Sequence, residues 1–246
     1  MKVIDILRKN NPDLNEILKN TLKKDIFQNS DQVLTKKEYN KYIYLKNKYI
    51  KKMPIEYIVK KAYFDKYEFF VNKNVLIPRI ETSDILKYLN KYKNILDIGT
   101  GSGIVGISLK KNNPQLKITL SDISKKAIYV AKKNKGLLDI KIIQSDLISN
   151  IKNIDQFDCI FANLPYISNM KNLPYSVKNY EPAIALDGGE NGIYLILKLI
   201  QEITETSWKG DLYLELDPNQ IKYIKNQKEI IKDRFNKDRF IKIRFN

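Results

Sequence analysis

Histidine is absent from this sequence of 246 residues, and cysteine occurs once, as Cys159. Without histidine the chain can form no Ser–His–Asp triad, no Cys–His pair and no zinc-protease helix. A single cysteine provides neither an internal disulfide nor a cysteine zinc site. The sequence therefore predicts no metal site, and any catalysis must proceed without histidine.

Long apolar runs are missing as well. No stretch approaches the ~18 residues of a membrane span. Residues 1–10 also lack the apolar segment of a signal peptide. Because both signals are absent, we expect no membrane partner and a cytoplasmic, reducing location.

Positive charge is in excess, with 44 Lys and Arg residues against 28 Asp and Glu and a net charge of +16. Residues 1–61 carry 15 basic and 7 acidic side chains, and residues 221–246 carry 9 and 3. Lysines on solvated helix faces explain these basic ends, and an RNA-rich partner is the alternative. The nearly neutral middle disfavours a nucleic-acid channel there.

Glycine is scarce in the first part of the chain, since none precedes Gly99. Asp13 or Asn15 is predicted to cap a helix with leucine and isoleucine at helical spacing. A second helix is predicted from Thr35-Lys36-Lys37-Glu38, which has the spacing of a capping box. These patterns predict a helical domain over residues 1–61.

Residues 62–78 are aromatic and strand-like, and we predict a β-hairpin that links two domains. In residues 79–246, short apolar strands alternate with helices, which predicts an α/β fold with a parallel, doubly wound sheet. Arg239–Phe245 alternates with period two and is predicted to pair antiparallel with the strand at 212–216, at a sheet edge. The other predicted strands are 94–98, 117–122, 139–146 and 157–162, and the predicted helices are 103–112, 124–135 and 191–208.

Four of the nine glycines fall within eight residues, at positions 99, 101, 103 and 106, between the first of these strands and a helix. Glycine lets the backbone turn and approach a ligand where a Cβ atom would collide. The N-terminus of the following helix attracts a carboxylate or a phosphate. Asp122 ends the next strand, 21 residues after Gly101, where its carboxylate can accept both hydroxyls of a ribose. Together these features predict a site for a nucleotide-like cofactor.

Two cofactors are compatible with this loop. Residues 101–106 match the G-x-G-x-x-G pattern of nicotinamide dinucleotide sites. The run Asp97-Ile98-Gly99-Thr100-Gly101-Ser102-Gly103 suits an amino-acid head group better than a pyrophosphate. Asp146 ends the third strand, where it either lies near the adenine or caps a following helix. Asp97 and Asp146 favour S-adenosylmethionine over a nicotinamide dinucleotide as the cofactor.

The tetrapeptide Asn163-Leu164-Pro165-Tyr166 follows a buried-type strand. Sites in open α/β sheets lie beyond the carboxyl ends of strands, so this loop is expected at the same edge as the glycines. An amide or exocyclic amine is a poor nucleophile, because its lone pair is delocalised. Its two N–H groups need acceptors that turn this lone pair towards a methyl donor.

Each residue of this tetrapeptide has a use in such a reaction. The Asn163 oxygen is one acceptor and the Leu164 carbonyl the second. Pro165 stiffens the loop, and Tyr166 offers a flat face for stacking. Catalysis then comes mostly from position and orientation, which can supply roughly 7–11 kcal/mol. The alternative is an Asn-Pro turn that merely ends a strand.

Over nearly its whole length the chain resembles the release factor glutamine methyltransferases, the PrmC/HemK family. The resemblance rests on the helical N-terminal domain, the glycine run and the Asn-Leu-Pro-Tyr loop. Three further motifs carry it: Pro54–Ile58, Asn74–Thr82 (which contains Pro78-Arg79-Ile80-Glu81-Thr82), and Tyr180–Gly189.

This resemblance implies a helical domain joined to a seven-stranded, Rossmann-like class I methyltransferase domain. It implies methyl transfer from S-adenosylmethionine to the glutamine amide of a Gly-Gly-Gln motif in class 1 peptide release factors. Asn163 to Tyr166 are expected to hold the glutamine, with Asn163, Pro165 and Tyr166 catalytic. The expected protein is a monomer that requires no nucleic acid and docks the release factor on residues 1–61. The expected cofactor-binding residues are Asp97, Gly99, Thr100, Gly101, Ser102, Gly103, Asp122, Asp146, Leu147 and Asn163.

The sequence departs from the family pattern at a few positions. Leu164 replaces the usual proline, Ile80 another proline and Ser83 an acid, while Leu147 stands where an aromatic residue is common. These departures bear on affinity and rate more than on the type of reaction. Arg79 and Glu81 either border the active site or lock the hairpin to the domain.

Other functions share some of these features. Ribosomal RNA adenine dimethyltransferases have a similar tetrapeptide, and the net charge suits RNA. The N-terminal helical domain and the Pro78-Arg79 segment are not expected in that family. A nicotinamide oxidoreductase is compatible with the glycines but lacks an evident proton-transfer pair. A non-catalytic S-adenosylmethionine-binding protein is the remaining alternative.

Overall fold

The computed structural model describes all 246 residues, which form two compact units. The first contains residues 1–61 and 174–180, and the second contains residues 62–173 and 181–246. The roles in docking and linking assigned above to residues 1–61 and 62–78 stay predictions. No helix combines the length and the apolar composition that a membrane crossing requires.

The chain contains nine α-helices and nine β-strands, with short 3-10 turns between them. The helices are α1 (Val3–Leu7), α2 (Pro12–Leu22), α3 (Lys36–Ile50), α4 (Ile55–Val59), α5 (Leu86–Leu89), α6 (Ile104–Asn112), α7 (Lys125–Lys135), α8 (Tyr175–Tyr180) and α9 (Tyr194–Thr204). The strands are β1 (Lys61–Phe64), β2 (Tyr67–Phe70), β3 (Asn94–Ile98), β4 (Lys117–Asp122), β5 (Lys141–Gln144), β6 (Cys159–Ala162), β7 (Gly210–Glu215), β8 (Lys228–Lys232) and β9 (Asp238–Phe245).

The first unit contains helices α1 to α4 and α8. The sequence patterns predicted helices in residues 1–61 and did not predict α8. The capping box at the start of α3 is confirmed, since the Thr35 hydroxyl accepts from Glu38 N at 3.3 Å and Thr35 N donates to the Glu38 carboxylate at 2.8 Å. The predicted cap of α2 is wrong. Asn11, and neither Asp13 nor Asn15, accepts from Leu14 N at 3.0 Å. Pro12 has no N–H and fits the first helical position, which moves the cap to the residue before it.

The second unit contains a seven-stranded sheet in the order β5-β4-β3-β6-β7-β9-β8. The first five strands are parallel, and β9 pairs antiparallel with both β7 and β8. This confirms the predicted α/β fold and the antiparallel pairing of the last strand with β7. The predicted edge position of that strand is wrong, because β8 lies outside it. In β8 only Ile231 is buried. One buried residue produces no alternating apolar pattern, so the sequence did not predict this strand.

Alternate residues of the central strands point to opposite faces of the sheet. Ile95, Phe161 and Tyr213 join one apolar core with residues of α5, α6 and α7. Leu96 and Ile160 join a second core with residues of α9. The helices therefore cover both faces, as a doubly wound sheet requires. The carboxyl ends of β3, β4, β6 and β7 meet at one edge, where the sites predicted from the sequence converge.

The hairpin of β1 and β2 turns at Asp65 and Lys66, and Asp65 takes a positive φ of 54°. Residues 71–80 follow it without forming a strand. They lead into a 3-10 turn, Glu81–Ile85, whose Thr82 side chain is buried. This segment delivers Arg79 and Thr82 to the same edge of the sheet as the glycine loop.

Candidate active site

The glycine loop, residues 99–103, connects β3 to α6 through a left-handed backbone. Gly99, Gly101 and Gly103 have φ values of +67°, +58° and +81°, which L side chains rarely adopt. At Gly101 no atom lies within 4 Å of the place a Cβ atom would take. The backbone there is accessible to a ligand, which agrees with the predicted role of the loop.

Asp97 holds the start of this loop from the end of β3. Its side chain is buried, and Oδ2 accepts from the Thr100 hydroxyl at 2.7 Å and from Gly106 N at 3.3 Å. Burial raises the pKa of Asp97 to about 7; these hydrogen bonds oppose the shift and the charge of Asp122 adds to it. Asp97 therefore fixes the loop through one oxygen, in addition to lining the cavity described below.

Asp122 ends β4 and reaches the loop from the neighbouring strand. Its Oδ2 accepts from Gly101 N at 2.9 Å, and Oδ1 accepts from Ser124 N at 2.8 Å. Burial raises the pKa of Asp122, and the two backbone donors oppose that shift. A carboxylate oxygen has two lone pairs, so each can accept a further hydrogen bond from a ligand. This geometry suits the predicted clamp on two hydroxyls.

Asp146 and Leu147 form a turn after β5. Residues 147–150 contain no helix, so the alternative reading of Asp146 as a helix cap is wrong. The Asp146 carboxylate pairs with Lys198 Nζ at 3.1 Å, and its side chain remains 48% exposed. Leu147 is buried with a φ of 43°, an unusual conformation for leucine.

The Asn-Leu-Pro-Tyr loop, residues 163–166, follows β6. Asn163 Nδ2 donates to Glu215 Oε2 at 3.0 Å. Leu164 is buried, and its Cδ2 atom lies 3.0 Å from the place a Cβ atom on Gly99 would take. The Leu164 side chain therefore occupies the space beside Gly99, next to the glycine loop. Tyr166 donates its hydroxyl to Glu215 Oε1 at 3.4 Å, and its backbone carbonyl accepts from Gln220 Nε2 at 2.7 Å.

A cavity of about 260 Å³ opens between the two loops. The structure brings most of the predicted site residues to its wall, but Gly103 and Tyr166 are not among them. Gly103 lies against Ile107 and Leu120 instead, and the Tyr166 hydroxyl faces Glu215. The predicted residues that line the cavity are Asp97, Gly99, Thr100, Gly101, Ser102, Asp122, Asp146, Leu147, Asn163, Leu164 and Pro165.

Glu215 is the residue of this site that the sequence reasoning missed. It lies at the end of β7 with 1% of its surface exposed, and Oε2 also accepts from the Thr82 hydroxyl at 2.8 Å. Burial raises the pKa of Glu215 to about 7; the Thr82 hydrogen bond and the charge of Arg239 oppose the shift. An acid inside the apolar run Leu212–Leu216 was the available signal, because a buried charge needs a reason.

Arg79 lines the cavity and also ties two segments of the second unit together. Its guanidinium pairs with Glu181 Oε1 at 2.7 Å, and Glu181 Oε2 accepts from Ile77 N at 3.2 Å. Glu81 lies 3.8 Å from the Arg239 guanidinium. Arg79 therefore borders the cavity and ties the segment that follows the hairpin to Glu181, whereas Glu81 does not line the cavity.

Comparison with known proteins places this geometry among methyltransferases. Residues 72–179 match the family model described as the methyltransferase small domain. The chain is 36% identical over 217 residues to the release factor glutamine methyltransferase of Flavobacterium psychrophilum, covering 78% of this chain and 75% of that protein. It is 37% identical to the protein of that name from Mycoplasma mycoides, covering 84% and 79%. With that of Thermodesulfovibrio yellowstonii it shares 32% identity, covering 92% and 89%.

Among solved structures, the chain is similar to the catalytic domain of hMettl16 in complex with the MAT2A 3′UTR hairpin 6. The TM-score is 0.54 at 14% sequence identity, with 72% of this chain and 75% of that chain covered. At this identity the likeness concerns the fold alone.

Proposed function

The chain belongs to the release factor glutamine methyltransferase family, and from this premise we propose that it methylates the side-chain amide nitrogen of a glutamine in a peptide release factor, with S-adenosylmethionine as the methyl donor. The finer part of the proposal is that this glutamine lies in the Gly-Gly-Gln motif of a class 1 release factor. The observation that carries it is the Asn163 amide, which lines the cavity beside the glycine loop and whose nitrogen is held by Glu215.

The cavity fits the cofactor by the chemistry of its donors and acceptors. We propose that the accessible backbone of residues 99–103 holds the amino-acid part of S-adenosylmethionine and that Asp122 holds its ribose. Leu147 supplies an apolar wall, as does Leu164. Bound there, S-adenosylmethionine supplies an electrophilic methyl group.

The chain itself contributes position and orientation. With the Asn163 nitrogen directed at Glu215, the amide oxygen is the end that accepts an N–H of the substrate amide. We assign the second N–H to the Leu164 carbonyl. Pro165 stiffens the loop, and the Tyr166 ring is assigned to stacking on the planar amide. Two fixed acceptors turn the weakly nucleophilic nitrogen towards the methyl group, and such positioning supplies roughly 7–11 kcal/mol.

We further propose that the enzyme works as a monomer in the cytoplasm, without a nucleic-acid or membrane partner, and that residues 1–61 dock the release factor. The basic character of these residues supports docking by charge. Replacing the exposed Lys36 and Lys37 by Glu should raise the KM for the release factor about threefold or more and leave kcat unchanged. Lys152→Glu, an exposed lysine of the second unit, is the matched control.

Labelled S-adenosylmethionine, offered with a purified class 1 release factor and with undermethylated ribosomal RNA in parallel, tests the proposed reaction. We expect one methyl group on the glutamine of the Gly-Gly-Gln motif, located by mass spectrometry, and none on the RNA. Label on an adenine would instead support methylation of ribosomal RNA, an alternative that the relatives of this chain do not favour.

A further inference from the structure

Glu215 is a buried carboxylate in an unusual position, since its hydrogen-bond donors are neutral groups. Its oxygens meet the Thr82 hydroxyl, the Asn163 amide and the Tyr166 hydroxyl at 2.8, 3.0 and 3.4 Å. None of these partners carries a charge that would compensate for its burial. The charge of Arg239 acts on Glu215, but the groups that donate hydrogen bonds to it are neutral. Burying a carboxylate among neutral donors is costly, so its presence calls for a reason other than stability.

The bond to Asn163 supplies that reason, because an amide has two chemically different ends. An ionised carboxylate only accepts hydrogen bonds, so it fixes the NH₂ end of Asn163 towards Glu215 and directs the oxygen elsewhere. A protonated carboxyl can donate, which allows the amide to reverse and to present its NH₂ end to the cavity. A reversed Asn163 offers a donor where the substrate N–H needs an acceptor.

The other hydrogen-bond partners of Glu215 do not determine which end of the Asn163 amide faces the cavity. The Thr82 hydroxyl rotates and serves as donor or acceptor in either case. The Tyr166 hydroxyl lies on the opposite carboxylate oxygen, Oε1. The orientation of Asn163 therefore depends on the charge of Glu215.

We propose that Glu215 is a positioning residue that acts in its ionised form, orienting Asn163 so that the amide oxygen faces the glutamine to be methylated. This inference rests on the proposed function. It adds a buried acid, 52 residues from Asn163 in sequence, to the machinery of the reaction.

The surroundings of Glu215 place its ionisation in the working range. Burial raises its pKa to about 7, the Thr82 hydrogen bond and the Arg239 charge lower it, and the Glu81 charge raises it. Arg239 is itself held by Asp233 at 3.1 Å and lies 3.8 Å from Glu81. As pH rises through about 7, Glu215 ionises and turnover should increase.

Three full-length variants test this inference. Glu215→Leu removes the acceptor, and Glu215→Gln removes the titration and offers both a donor and an acceptor, as the protonated acid does. Glu229→Gln is the matched control, an exposed glutamate on β8 whose side chain is 59% accessible. Each is assayed for kcat and KM with S-adenosylmethionine and the release factor between about pH 5.5 and 8.5, a range that brackets neutrality.

We expect wild-type kcat to rise with pH, with a midpoint near 7. Glu215→Leu should lose about tenfold or more in kcat, with its affinity for S-adenosylmethionine changed less than about twofold. Glu215→Gln can donate as a protonated carboxyl does, so its kcat should stay near the acidic wild-type level at every pH and lose the acidic limb. Glu229→Gln should keep the wild-type kcat and the wild-type pH dependence. Wild-type kcat in Glu215→Leu, or an unchanged acidic limb in Glu215→Gln, overturns the inference.

A second measurement does not depend on the release factor or on the folding of the leucine variant. The side-chain ¹⁵N resonance of Asn163, assigned by its loss in Asn163→Asp, should shift with a midpoint near 7 in the wild type and not in Glu215→Gln. Absence of that wild-type shift overturns the inference even if the release factor is methylated. Failure of the wild type to methylate the release factor overturns the proposed function instead, and the spectra still decide how Asn163 is oriented.

Discussion

Asp97 and Glu215 are two buried carboxylates at the same edge of the sheet, with 3% and 1% of their surfaces exposed. Burial raises the pKa of each to about 7. They differ in how their surroundings are assembled. The hydrogen-bond partners of Asp97 lie three and nine residues away in sequence, whereas those of Glu215 lie 49, 52 and 133 residues away. Similar electrostatics thus arise from a local loop in one case and from three separate segments in the other.

The largest effect should come from removing the residue that the assembled carboxylate orients. Asn163→Ala is expected to lower kcat by roughly 100-fold or more, because the substrate amide loses a fixed acceptor. Affinity for S-adenosylmethionine, measured by calorimetry, should change little. Gln115→Ala, which deletes an exposed amide before β4, is the control. Loss of cofactor binding as the main defect would assign Asn163 to the cofactor site instead.

The two carboxylates should also be visible in the pH dependence of stability. Their folded pKa values, about 7, exceed the ordinary values of 3.8 and 4.5, so the folded protein holds these protons more tightly than the unfolded chain. Each group therefore contributes stability that is fully present below about pH 4 and is lost as pH rises through about 7.

Urea unfolding of the wild type, Asp97→Asn and Glu215→Gln between about pH 4.5 and 8 measures this contribution. In each variant the decline of the free energy of unfolding with pH should be smaller by roughly 2–3 kcal/mol. Parallel curves for wild type and variant would show that the group titrates normally in the folded protein. For Glu215 the same ionisation that lowers stability is the one that we propose the reaction needs.

Asp122 holds the same glycine loop that Asp97 holds, and its replacement tests the role of that loop in cofactor binding. Asp122→Ala leaves the N–H groups of Gly101 and Ser124 without their acceptor and removes the proposed ribose clamp. We expect an affinity for S-adenosylmethionine about 10-fold to 100-fold weaker by calorimetry, as charged hydrogen bonds are worth about 1.5–3 kcal/mol. Asp139→Ala, at an exposed position, should bind as the wild type does. Unchanged affinity in Asp122→Ala would refute the clamp.

Asp146 should show the smallest effect. Its carboxylate is half exposed and pairs with Lys198, a kind of ion pair worth about 0–1 kcal/mol. Asp146→Ala is therefore expected to weaken cofactor binding by less than about fivefold and to leave the unfolding transition nearly in place. An affinity loss as large as that of Asp122→Ala would mean that Asp146 contacts the cofactor directly.

Much of the fold followed from patterns within short windows of sequence. The bounds of β3 and β4 were predicted to the residue, and α7 began one residue after its predicted start because Ser124 is its cap. Predictions failed where the window held conflicting signals. Proline at position 12 moved the cap of α2 to Asn11. In β8, lysines surround a single buried isoleucine, and only pairing with β9 makes this segment a strand.

The residues of the candidate site also separate into those that short windows of sequence predicted and those that they did not. The glycine loop, Asp122 and the Asn-Leu-Pro-Tyr loop were readable because each is a short motif at the end of a predicted strand. The Tyr166 ring was expected to stack on the substrate, and no short motif predicted that its hydroxyl donates to Glu215 Oε1 at 3.4 Å. Glu215 lies in no motif, and the motif that ends at Thr82 did not point to it, because what unites the two residues is a hydrogen bond across 133 positions of sequence.

The sequence by itself determined the parallel sheet, the glycine backbone and the chemical types of the groups at its edge, since these depend on periodicity, local backbone freedom and side-chain identity. Only the tertiary structure decided which end of the Asn163 amide faces the cavity and how strongly Glu215 holds its proton. The first depends on the hydrogen bond from Asn163 to Glu215, and the second depends mainly on burial of Glu215 at the end of β7. Burial of that kind exists only when distant segments pack together.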